Sequence, residues 1–277
     1  MPGGFSLHND ICNGQNVGSV LTTSFGTVVT SSATANTKGA YTQLIAATAS
    51  DAAFMEVRIY VQNSNSPNFA IDIAVGASGS EVVLVPNLVT QTIFAGYNLV
   101  VWAFPISIPA GTRIAARMQD SSGSQTATVS LNLFDAGFTM PDGYSGVDAI
   151  GFTATSTEGT SLTPSTTVDT MGAYSQLIAA TTRDYVGIFG AFDSQQGNSK
   201  VQSYLVDVAI GASGSEQIII PKLFNYNSDS NNWMFQFPFH PIQIPAGTRI
   251  AARCQTNATS GSGNQRPIDL TLYGVYL

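Results

Sequence analysis

The chain has 277 residues, 44% hydrophobic but only 10% charged, against roughly 25% charged in an ordinary soluble domain. Its net charge of −7 arises from 17 acidic and 10 basic residues, so there is no basic stripe and the electrostatic term behind nucleic-acid binding is missing. Cys12 and Cys254, far apart in unlike contexts, form neither a disulfide framework nor a metal-spaced pair.

The opening Met-Pro-Gly-Gly-Phe-Ser-Leu-His lacks the cationic and apolar regions of a secretory signal, which points to synthesis and assembly in a cytoplasm. Residues 1–19, rich in Gly and Asn, read as an N-terminal arm. The longest apolar run, Leu99 to Ile108, is about half the length of a membrane span and is broken by Pro105, so no membrane span is expected.

A tandem duplication organises the rest of the chain. Ile108-Pro-Ala-Gly-Thr-Arg-Ile-Ala-Ala-Arg117 returns unchanged as Ile244 to Arg253. Gly39-Ala-Tyr-Thr-Gln-Leu-Ile-Ala-Ala-Thr48 returns from Gly172 with one Thr-to-Ser change, and Gly76-Ala-Ser-Gly-Ser-Glu81 returns from Gly211. The copies are expected to fold as two domains, residues 20–137 and 152–277, joined by a turn-rich linker at 138–151.

In copy one, Met55 to Val61 alternates apolar and polar residues, with Met55, Val57, Ile59 and Val61 on one face and Glu56, Arg58 and Tyr60 on the other, which predicts a half-buried strand. Phe69 to Val75 repeats the pattern, breaks at Gly76-Ala-Ser-Gly-Ser80, and resumes as Glu81 to Val85, closing on Pro86. The pair reads as a hairpin. Next, Pro109 suits the second position of a type I turn and Gly111 the fourth, turning the chain into a strand that buries Ile114, Ala116 and Met118 and exposes Arg113 and Arg117. Thr126 to Phe134 supplies a last strand with Val129, Leu131 and Leu133 inward. Gly39 to Ala49 is ambiguous, and no long helical periodicity is present.

Strands at this density without crossover helices predict an all-β chain: two tandem antiparallel β-sandwich domains from an internal duplication, jelly-roll-like as first choice and immunoglobulin-like as second.

The chemistry-bearing residues read mostly as framework. Asp72 with Glu81, and Asp207 with Glu216, offer too few oxygens for calcium and are expected to pair with the outward Arg113, Arg117, Arg249 and Arg253. His8 and His240 are not duplicated, and neither has the spacing of a catalytic triad or zinc site. Cys254 takes the inward place of Met118, where a small hydrophobe belongs. No catalytic residue, metal or cofactor is therefore expected, and the chain reads as a non-enzyme. The variable tips, rich in Asn, Ser, Gly and Tyr, have the composition of an adaptable contact surface. Asn65, Tyr226 and Trp233 are the binding candidates there.

Asp72-Ile-Ala-Val-Gly-Ala-Ser-Gly-Ser-Glu81, Val85-Pro-Asn-Leu88 and Phe104-Pro-Ile-Ser-Ile-Pro-Ala-Gly-Thr-Arg-Ile-Ala-Ala-Arg117 resemble segments of structural proteins of tailed bacteriophages. The resemblance covers both copies through framework residues. It implies a virion protein, as head decoration or spike, tail adaptor or fibre, working among other virion proteins and as a homo-oligomer. The alternative is a module binding host surface glycans through the loop tips.

Overall fold

The computed structural model describes residues 14–17, 25–62, 68–91, 97–134, 144–153, 159–194, 202–227, 235–258 and 267–277. Among them every regular element is a strand. Copy one contains β1 (Gly14–Val17), β2 (Thr27–Thr30), β3 (Thr42–Ile45), β4 (Phe54–Gln62), β5 (Asn68–Val75), β6 (Val82–Gln91), β7 (Tyr97–Phe104), β8 (Ile114–Asp120) and β9 (Thr126–Phe134). Copy two repeats them one for one: β10 (Gly146–Ile150), β11 (Thr160–Leu162), β12 (Ser175–Ile178), β13 (Tyr185–Ser194), β14 (Gln202–Ile210), β15 (Gln217–Asn227), β16 (Phe235–His240), β17 (Ile250–Thr256) and β18 (Ile268–Tyr276).

Each copy is a pair of antiparallel sheets. In copy one the orders are β1-β9-β4-β7, with β2 also on β9, and β3-β8-β5-β6; copy two gives β10-β18-β13-β16, with β11 on β18, and β12-β17-β14-β15. Since β1 and β2 pair with successive stretches of β9, they act as one interrupted strand, and the order is that of a jelly roll. The alternating faces read from sequence hold: Met55, Val57, Ile59 and Val61 face inward against Ile71, Ile73, Ile114 and Met118, all fully buried.

Four expectations need correction. First, β1 lies in the stretch read as an arm, yet it pairs in register with Leu131 to Phe134. Second, β10 lies in the stretch read as linker, yet it pairs with Leu272 to Tyr276. Asp148 fastens it by accepting from the Tyr185 and Thr182 hydroxyls, each at 3.0 Å. Strands of four or five residues carry too little periodicity to be seen without their partners. Third, β6 does not end at Pro86. It continues through Pro86 and Asn87 with a register shift against β5, and β15 does the same at Pro221 and Lys222. Both are edge strands, where a missing N–H and a bulge are tolerated. Asn87 and Lys222 take φ of 52° and 54° there.

Fourth, the decapeptide turn is shifted by one residue. Thr112 N–H donates to the Pro109 carbonyl at 3.3 Å, so Pro109 is the first residue of the turn. Gly111 is the third, with φ +77°, the position at which a type II turn demands a positive φ.

The two sandwiches share an interface. The outer face of the β10-β18-β13-β16 sheet carries Val147, Phe189, Ala191, Tyr273 and Val275, which join the hydrophobic core of copy one. Trp102 of β7 packs on Phe189 at 5.9 Å and on Tyr273 at 5.0 Å between ring centroids, and Phe189 stacks on Tyr273 at 5.2 Å. Tyr273 also closes the free edge of β6: its hydroxyl accepts from Val89 N–H at 2.9 Å and donates to the Asn87 carbonyl at 2.7 Å. Burial pushes that hydroxyl far above the usual phenol range, so it stays protonated and able to donate.

Pairing register shows why only one sheet is covered. Val29 opposes Ala127 and its duplicate Leu162 opposes Ile268, so the pair Glu56–Asn132 corresponds to Phe189–Tyr273, and Arg58–Ser130 to Ala191–Thr271. At three of these positions the face is polar and partly exposed in copy one, as Glu56, Arg58 and Asn132, but apolar and buried in copy two, as Phe189, Ala191 and Tyr273.

Candidate functional site

The three duplicated segments lie against one another, which accounts for their persisting together. Thr48 N–H donates to the Thr112 carbonyl, Gly111 N–H to the Thr48 carbonyl, and the Thr48 hydroxyl to the Pro109 carbonyl, at 2.8–2.9 Å. Thr181 makes the same set with Thr248, Gly247 and Pro245 at 2.7–2.9 Å. A change that moved the backbone of one segment would strand donors in the other.

The outer face of the sheet through β8 and β5 carries the charges of these segments. Arg113 donates to Gln43 Oε1, the Gly76 carbonyl and Glu81, each at 3.0 Å. Arg249 matches it on Gln176, Gly211 and Glu216 at 3.0, 3.0 and 3.1 Å. Arg117 reaches Asp72 at 2.9 Å and lies over the Tyr41 ring at 4.6 Å; Arg253 reaches Asp207 at 3.1 Å and lies over Tyr174 at 4.6 Å. The expected pairing is therefore present, and all four arginines serve the framework. Asp72 is more deeply placed than its strand pattern implied: it is buried and also receives Lys38 Nζ and Asn87 N–H, both at 2.8 Å. Glu81 is held below the usual carboxylate range by its own backbone N–H first, with Gly79 N–H and Arg113 assisting. Backbone donors and Arg249 do the same for Glu216.

Other reactive groups are likewise engaged. Cys254 is fully buried, its thiol donates to the Leu162 carbonyl at 3.4 Å, and burial pushes it up to about 12. His240 Nδ1 lies 2.8 Å from the Pro238 carbonyl with its ring against Phe237. Asp120 is buried, which alone would raise its carboxyl. Donors from Ser31, Ser122 and Gly123 outweigh that and hold it below the usual range. Among the described residues, no cluster of three or more His, Cys, Asp or Glu could hold a metal ion. His8 and Cys12 lie outside the described residues.

A cleft of about 190 Å³ opens on the outer face of copy two, lined by Asp169, Ser203, Leu205, Phe224, Gln255 and Asn257. Its floor is ordered: Asn257 Oδ1 accepts from Ser203 N–H at 2.9 Å, and Asp169 N–H donates to the Thr256 carbonyl at 3.0 Å. Tyr226 pairs opposite Ser203, beside the cleft, and is exposed. Of the three loop-tip candidates the structure places Tyr226, and it lies within strand β15 rather than at a tip, because β15 runs on past Pro221 to Asn227; Asn65 and Trp233 lie outside the described residues. Phe224 was missed because a Phe in an apolar strand looks like core until its burial is known.

The fold defines a protein built of two stacked jelly rolls. No protein-family model and no curated protein matches the chain. Among solved structures, the N-terminal CBM22-1–CBM22-2 tandem domain of Paenibacillus barcinonensis Xyn10C aligns over 95% of this chain and 90% of that one, at 8% identity and a TM-score of 0.28. At that TM-score the likeness assigns no function.

Proposed function

We propose that this chain is a non-catalytic structural protein that acts by docking against other protein subunits, in the setting of a tailed-phage particle. The observation that carries the docking reading is the placement of exposed apolar side chains on a chain with little charge. Phe25, Val28, Leu99 and Val101 share one sheet face of copy one, and Ile218, Phe224, Tyr226 and Phe235 lie on two consecutive strands of copy two. Contiguous exposed apolar surface on a folded chain marks an interaction site, and low charge at its centre is the composition of lasting interfaces. The engagement of arginines, Cys254 and Asp120 in the framework supports the non-catalytic part. The phage setting rests on the resemblance of the duplicated segments. Mass spectrometry of purified particles tests it: the chain should be present at defined stoichiometry, and its absence sinks the setting.

A second reading is favoured by the cleft beside Phe224 and Tyr226. An aromatic wall next to Gln255, Asn257 and Ser203 suits the apolar face and hydroxyl rim of a sugar ring. Glycan-array binding lost in Tyr226→Ala and Phe224→Ala would establish it. Hydrolysis of a polysaccharide by the purified chain would overturn the non-catalytic reading.

A further inference from the structure

We infer that the chain associates head to tail with further copies of itself, the β15–β16 edge of one chain seated on the outer face of the β2-β9-β4-β7 sheet of the next. The inference deepens the docking reading above by naming the partner. Its template is the interface inside the chain. There, the β6–β7 edge of copy one rests on the outer face of the matching sheet of copy two, with Trp102 against Phe189 and Tyr273 and with Val89 N–H on the Tyr273 hydroxyl.

Duplication leaves each half of that interface present once more and uncovered. Register equates Leu205–Phe224 with Ala70–Val89, and Phe192–Phe235 with Ile59–Val100. Val89 and Val100 are 2% and 6% exposed, whereas Phe224 and Phe235 are 54% and 44% exposed. At these two positions the covered edge carries valine and the uncovered edge carries phenylalanine.

The other uncovered half is the copy-one sheet face. Its register equivalents of Phe189, Ala191 and Tyr273 are Glu56, Arg58 and Asn132, which bind one another at 2.6 and 3.1 Å. The apolar patch of Phe25, Val28, Leu99 and Val101 surrounds Tyr60, which Phe25 meets at 4.8 Å. Tyr60 follows Arg58 by two residues, so the next chain would sit displaced along the strands by about 7 Å relative to the internal arrangement. Of the ten large hydrophobics exposed among the described residues, eight lie on the copy-one face or on strands β15 and β16. Because the surfaces differ, the contact is heterologous, and repetition closes a ring or extends a filament.

The test uses the full chain in sedimentation velocity and mass photometry up to high micromolar concentration. One variant carries Phe224→Glu and Phe235→Glu, the other Leu99→Glu and Val101→Glu. All four side chains are solvent-exposed, and unchanged circular dichroism and melting would confirm folding. The wild type should form dimers and larger species. Each variant alone should lose association by about a hundredfold, as loss of central apolar anchors does. Mixed together, the variants should form dimers and stop there, since each retains one intact surface. A monomeric wild type, oligomers that persist in both variants, or a mixture that stays monomeric would each overturn the inference. A monomeric chain still recovered in particles would leave the docking reading standing with a different partner.

Discussion

Tyr273→Phe isolates the contact that joins the two sandwiches. The change removes only the hydroxyl, leaving the ring stacked on Phe189 and edge-on to Trp102. Val89 N–H and the Asn87 carbonyl would lose their partner on a side chain that is fully buried. Leaving a buried donor or acceptor unpaired costs about 1–3 kcal/mol. The expected loss is about 2 kcal/mol, the middle of that range. For a chain of this length that lowers the melting temperature by about 5 °C. Phe189→Ala, which opens a cavity beneath Trp102, should cost about 3–5 kcal/mol. Differential scanning calorimetry and urea denaturation measure both. Because Phe189, Tyr273 and Val275 belong to the core cluster of copy one, wild type and Tyr273→Phe should each unfold in one transition. A Tyr273→Phe melt within about 1 °C of wild type, or two separated transitions in the wild type, would refute the shared interface.

Gly111→Val and Gly247→Val should each destabilise by about 1–2 kcal/mol, equally within error, since the φ values are +77° and +79° and a Cβ meets nothing within 4 Å; chemical denaturation checks this. Asp72→Ala should cost about 3–5 kcal/mol by leaving Lys38 and Arg117 without their shared anion, and Asp207→Ala less, because Arg253 is its one cationic side-chain partner among the described residues. Acid should destabilise the fold through Asp120, Glu81 and Glu216. Their folded carboxyls titrate below the unfolded ones, so their contribution is complete above the unfolded carboxylate range and is lost as pH falls through the folded values. Urea titrations against pH should show this, with Asp120→Asn flattening the acid limb. Cys254, with its thiol pushed up to about 12 and buried, should resist alkylation at neutral pH in a Cys12→Ser background until the chain unfolds, as read by mass spectrometry.

Strand identity was legible because a strand with one face in a core must alternate, and Met55 to Val61 and Val129 to Leu133 alternate apolar with polar residues. The duplication was legible for a similar reason: backbone turns and the groups that close them tolerate little change, so Thr48, Pro109 and Gly111 recur with Thr181, Pro245 and Gly247. The pairing of Arg113 and Arg117 with Glu81 and Asp72 was legible because the arginines point outward from their strand and the acids flank one turn. Other features belong to no single stretch of chain. β1 and β10 are defined by their partners on β9 and β18, and the true position of the Pro109 turn by a hydrogen bond of Thr112. Phe189 and Tyr273 lie on the outer face of their own sheet and join the core of copy one, which no local pattern could show. Phe224 is as apolar and is exposed. An apolar side chain declares that it must be buried, but only tertiary packing decides against what, because burial depends on surfaces brought together from residues some 80 to 190 positions apart, as Trp102 with Phe189 and Val89 with Tyr273 are.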